Sequence, residues 1–139
     1  GQLLFESGQI DAAVAPMEKA QRLAPQAGLI EVSLAQVLLA RNDPASDQKA
    51  LEHLQTAKRS EGDWPFLWRQ LATAQGRLGD IGQAALSLAE EAVRQSKWEN
   101  AETQSKRAQT MLQAGTPAML RALDIEELAK RERAAQRKK

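Results

Sequence analysis

A single histidine, His53 in the stretch ALEHLQTA, sets the first limit on the chemistry this chain can do. A helical zinc site of the H-E-x-x-H kind needs two imidazoles one turn apart, and one histidine cannot supply them. A Ser-His-acid triad would need the same residue beside a serine held in a sharp turn, and no G-x-S-x-G or comparable motif occurs. His53 is therefore expected on the surface. The absence of cysteine removes disulfides, thiolate metal sites and thiol nucleophiles together. The stretch GRLGD has two glycines but neither the Lys-Ser/Thr pair of a phosphate loop nor a preceding strand. Glu90 and Glu91 are consecutive, so on a helix they point to different sides and make a poor acid-base couple. The chain is expected to be non-catalytic, with no cofactor and no metal site of its own.

Binding chemistry is the alternative to catalysis. The formal net charge is +1, so no global field draws nucleic acid or an anionic membrane. Lys130, Arg131, Arg133, Arg137, Lys138 and Lys139 crowd the C-terminal end, where they would suit phosphate or lipid headgroups. No aromatic side chain interleaves with them, so bases would find no stacking platform. The cluster reads as the solvated, fraying end of a helix, and no nucleic-acid partner is expected. Nor does any apolar run approach the roughly 18–20 residues of a transmembrane helix. Trp64, Phe66 and Trp68 gather in DWPFLWRQLA, leaving only Phe5 and Trp98 elsewhere.

The elements that must carry these residues are helices. Apolar residues are rich in Ala and Leu and recur with helical spacing, and no stretch alternates with period two for long. The spacing predicts helices near 2–7, 10–23, 28–41, 45–60, 65–78, 81–95, 98–113 and 116–136, with Pro16 bending the second. Gly8-Gln9, Asn42-Asp43-Pro44, Gly79-Asp80 and Gly115-Thr116-Pro117 punctuate them as stop-and-restart signals between antiparallel helices. Thr116 is a plausible N-cap, and Glu126–Lys130 and Glu127–Arg131 are i,i+4 pairs on the last helix. The chain is all-α, and its opening GQLLFESG reads as the inside of a helix and hence as a fragment's start.

The helices also repeat in pairs. Trp68, Leu71, Ala72, Gly79, Ala84 and Leu88 follow the pattern W-x2-L-A…G-D…A-x3-L, which resembles the tetratricopeptide repeat. Leu34, Ala35, Leu38, Ala50, Leu54 and Ala57 match in a second copy, with about three extra residues assigned to the NDPASD turn. A truncated first copy keeps Gly1, Leu4, Gly8, Ala13, Met17, Ala20 and Pro25. Small residues let paired helices approach, and large ones fill the seams between them. The pattern departs at Glu31, where an aromatic is usual, at Gln75, often Tyr, and at Glu91, normally Ala. The organisation expected is one domain, 1–139, with repeats 1–27, 28–64 and 65–95 and an irregular terminal pair over 96–139. Helix 81–95 serves both the third repeat and that pair. Ser96-Lys97 stands where a fourth repeat would carry its Gly-Asp turn.

The resemblance implies a superhelix of about eight helices whose concave face is lined by the first helix of each pair. Carried over by position, that face comprises Leu29, Val32, Gln36 and Leu39, then Phe66, Arg69, Thr73 and Arg77. Some members of the family clamp a partner's C-terminal carboxylate with Lys and Asn, and Val32, Gln36, Arg69 and Thr73 do not match that clamp. Trp68 is the repeat's packing residue, Trp64 covers the junction between repeats, and Phe66 is the aromatic available to a partner.

GQLLFESGQIDAAVAPMEKAQRLAP, WRQLATAQGRLGDIGQAALSLAEEA and KRAQTMLQAGTPAMLRALDI together resemble the C-terminal repeat region of BepA-type periplasmic zinc metallopeptidases. That resemblance implies a protein- or peptide-binding module handling substrates or partners, including its own upstream protease domain. Zinc would be held only in that upstream domain, and the setting would be the periplasm. An independent tetratricopeptide scaffold or adaptor in envelope protein assembly is the alternative.

Overall fold

The structure, a computed structural model, describes residues 28–138. These carry six helices and no strand, rather than eight helices, since those expected near 2–7 and 10–23 lie outside them with the truncated first repeat. The helices are α1 (Gly28–Ala40), α2 (Pro44–Glu61), α3 (Pro65–Arg77), α4 (Ile81–Arg94), α5 (Trp98–Gln109) and α6 (Pro117–Arg137). Helix α5 stops short of the expected 113, where the Thr110 hydroxyl donates to Arg107 O at 2.7 Å and competes for a last-turn carbonyl. The chain, expected as one domain, divides into two compact units with the break between Gly62 and Asp63. The first unit's described part is α1 and α2; the second holds α3 to α6.

One turn design recurs inside both units. Asn42 (φ 56°), Gly79 (φ 87°), Ser96 (φ 56°) and Gly115 (φ 79°) each take the left-handed conformation immediately before the N-cap of the next helix. A left-handed residue turns the chain back sharply enough for antiparallel packing. The N-caps Asp43, Asp80 and Thr116 accept from Ser46 N, Gln83 N and Met119 N, while Lys97 gives no side-chain cap. Turn 41–43 is no longer than turn 78–80, which corrects the expected insertion there: the extra length lies in α2, 18 residues against 14 in α4. Ser96 supplies the conformation that glycine provides at 79, so the turn survives the missing Gly-Asp.

In the first unit, Val32, Leu34, Ala35, Leu38 and Leu39 of α1 are buried with Ala50, Leu54 and Ala57 of α2. In the second, α4 packs on α3, α5 and α6, while α3 packs on α4 and not on α5 or α6. The core of α4, α5 and α6 is built on Ala85, Ala89, Ala92, Ala101, Ala108, Ala122 and Ala129 around Ile125 and Leu86. Methyl-sized contacts let helix axes approach at the low end of the usual 8–10 Å.

Three departures from the repeat pattern prove to be buried polar residues bonded to the other helix of their pair. Glu31 lies 2.8 Å (Oε2) from His53 Nδ1 across α1 and α2, with side chains 3% and 19% exposed. His53 is therefore no surface histidine; it satisfies a buried carboxylate. Gln75 of α3 meets the Ser87 hydroxyl of α4 at 2.6 Å. Turning the amide nitrogen to that hydroxyl also brings it within 3.1 Å of Leu71 O and Gln83 O. Glu91 is the third, paired with Arg69.

Candidate functional site

Arg69 and Glu91 begin the site. The Arg69 guanidinium spans from α3 to α4, with Nε donating to Glu91 Oε2 at 3.2 Å and Nη2 3.1 Å from Oε1. This two-point contact fixes the guanidinium plane. The pair stands in an open cleft of about 230 Å³, lined further by Leu88 and Ala92 of α4, Gln95 and Lys97 at the turn, and Asn100 and Gln104 of α5. Apolar surface is limited to Leu88, Ala92 and side-chain stems, and the rest is amide and charge. Gln104 Oε1 is buried and accepts no hydrogen bond. An unsatisfied buried acceptor costs about 1–3 kcal/mol.

A separate chain of contacts ties α3, α4 and α6 together. The Arg94 guanidinium lies 4.5 Å from the centroid of the Trp68 ring. Arg94 Nη1 donates to Glu90 Oε1 at 2.8 Å, and Glu90 takes two further bonds of 2.8 Å from Arg121 of α6. Burial works against the Glu90 carboxylate, but Arg121 and then Arg94 outweigh it and hold its pKa below the ordinary range. The Glu90 contact likewise raises Arg121 against burial. Glu90 and Glu91 are thus committed to different arginines on different sides of α4.

The eight residues expected on a concave face divide. Leu29 and Gln36 are exposed on α1, along a stripe with Ser33 and Ala40. Val32 and Leu39 are buried at 1% and 5% exposure, on a helix that is apolar over most of its circumference. Of the second group only Arg69 enters the cleft. Thr73 donates its hydroxyl back to Arg69 O at 3.1 Å, and Arg77 is exposed at the end of α3. Phe66 is half-buried, tilted at 37° against Trp64 with ring centroids 5.1 Å apart. Gln95, Asn100 and Gln104 were not anticipated, although Lys97, Asn100 and Gln104 recur at i, i+3 and i+7, a polar stripe legible in principle.

Among the described residues no group of three or more His, Asp or Glu could hold a metal ion, and no helix is long and apolar enough to cross a membrane. No family model, no curated protein and no solved structure matches this chain.

Proposed function

We propose that the chain is a non-catalytic protein-interaction module that takes an extended polypeptide segment in the cleft between α3, α4 and α5. The observation that carries this is the open polar cleft itself, walled by the Arg69–Glu91 pair and by the amide side chains of Gln95, Asn100 and Gln104. A peptide backbone presents N–H groups to such acceptors and C=O groups to amide donors, which suits a polar, open cleft better than a compact apolar ligand. The pairing of antiparallel helices by tight turns agrees with a tetratricopeptide-like superhelix, which remains part of this proposal. The three resembling phrases favour the substrate- or partner-handling C-terminal region of a BepA-type periplasmic zinc metallopeptidase. An independent scaffold in envelope assembly is the second reading.

Random-peptide display against the full chain would supply ligands, and their affinity would be measured by fluorescence polarisation. Gln104→Leu and Arg69→Ala are each expected to weaken the selected peptides at least several-fold, with helicity retained. Unchanged affinity for both variants sinks the cleft. Peptide mapping of the native polypeptide separates the two readings. An upstream H-E-x-x-H domain supports the protease region, and its absence leaves the scaffold.

A further inference from the structure

The side of α6 turned away from its core is unusual for a solvated helix. Ala122, Ile125 and Ala129 face inward, and one row on the opposite side holds Leu120, Leu123, Glu127, Arg131, Ala134 and Lys138, all exposed. Leu120 and Leu123 keep 56% and 45% of their surface in water. The charges on this row differ from their neighbours. Glu126 bonds Lys130 at 2.7 Å and Gln109 at 2.8 Å, and Arg133 bonds Glu102, all on the flank of the helix. No ion pair joins Glu127 to Arg131 among the described residues, which corrects the expected i,i+4 bridge.

We infer that this row is a self-association face, and that its occupant is the α6 of a second copy of this chain, packed antiparallel. The order of the row carries the inference. It runs apolar, acidic, basic, small, so it complements its own reverse. With the two-fold axis between the levels of Glu127 and Arg131, each Glu127 meets the partner copy's residue 131, and each Arg131 meets residue 127. Leu123 then lies against the small side chains at 134 and 135, and Leu120 lies under the aliphatic stem of residue 138. A parallel arrangement would instead set Glu127 against Glu127 and Arg131 against Arg131. At 21 residues α6 is about 30 Å long, so the whole row can be engaged. The closed symmetry of such a pair leaves no free row to propagate. This inference does not depend on the peptide cleft, which lies among α3, α4 and α5.

Sedimentation equilibrium of the full chain at low ionic strength tests it. A monomer–dimer equilibrium is expected, weakened by salt because its charge pairs are at the surface. Glu127→Arg and Arg131→Glu should each be monomeric at concentrations where the wild type dimerises, since each places like charges opposite each other. Mixed one to one, they should associate, because every 127–131 contact is then oppositely charged. Leu120→Ser/Leu123→Ser should also be monomeric, with an unchanged circular dichroism spectrum. A wild type that stays monomeric near millimolar concentration overturns the inference. So does a dimer indifferent to all these changes, or a mixture of the two charge variants that fails to associate.

Discussion

Replacing Ser96 by glycine should stabilise this protein, although it removes a side chain. Ser96 sits at φ 56°, where the Cβ of an L-residue crowds the backbone at a cost of about 1–2 kcal/mol. Glycine relieves that strain but frees the unfolded chain, returning about 0.4–1 kcal/mol to the denatured state. The net gain is about 0.5–1 kcal/mol, the difference between those two terms. The reverse changes, Gly79→Ala and Gly115→Ala, should cost about the same, because φ is +87° and +79° there. A Cβ at either glycine would meet no atom within 4 Å, so any loss is a backbone effect uncontaminated by packing. All three positions lie in the second unit, so one urea transition reports on them together. With a slope of about 1.5 kcal/mol per M, the midpoints should move by about 0.3–0.7 M, upward for Ser96→Gly and downward for the alanines. A lowered midpoint for Ser96→Gly, or no change in Gly79→Ala, would refute the assignment of these residues as strained turn positions.

Other perturbations address the buried polar pairs and the alanine core. His53→Leu removes the imidazole bonded to the buried Glu31 side chain and should cost about 1–3 kcal/mol, whereas Glu31→Leu/His53→Leu should lie nearer the wild type; a double variant no more stable than the single one, by urea unfolding, would contradict this. Hydrogen bonds from Lys106 and then Arg133 hold the Glu102 carboxyl down to about 2. Because its folded pKa is depressed, this group's contribution is complete above the ordinary value of 4.5 and disappears as pH falls toward about 2. Wild-type Tm should therefore drop more steeply than that of Glu102→Gln between those limits, and parallel curves would contradict the linkage. Ala108→Leu forces a larger side chain into a position with 0% exposure and should destabilise by about 1–3 kcal/mol; an unchanged Tm would show that the α4–α5–α6 contact is loose.

Helix positions were legible because periodicity and punctuation are local properties. The Asp43, Asp80 and Thr116 caps follow from the same local chemistry. Ser96 was harder to read, since serine has no preference for the left-handed region and only the surrounding packing holds it there. The partners of Glu31, Gln75 and Glu91 were hidden for a different reason. Each departure from the repeat pattern could be seen in isolation, but its compensation lies on another helix, at His53, Ser87 and Arg69. The resemblance put Val32 and Leu39 on a concave face and both are buried, a distinction that an apolar helix, with little contrast between its faces, does not display in its sequence. The cleft depended on fixing the frame after residue 80, which three helices sharing α4 made ambiguous.

Because α4 touches every other helix of the second unit, its amides should be the last there to exchange with deuterated solvent. Helix α3, packed on α4 alone among the helices of its own unit, can open while the rest persists, so it should lose protection first. Arg69 rides on the helix that opens early, and Glu91 on the one that opens last. The cleft wall can then yield to an incoming chain without melting the core beneath it, which ties the ease of entry to the stability of a single helix contact.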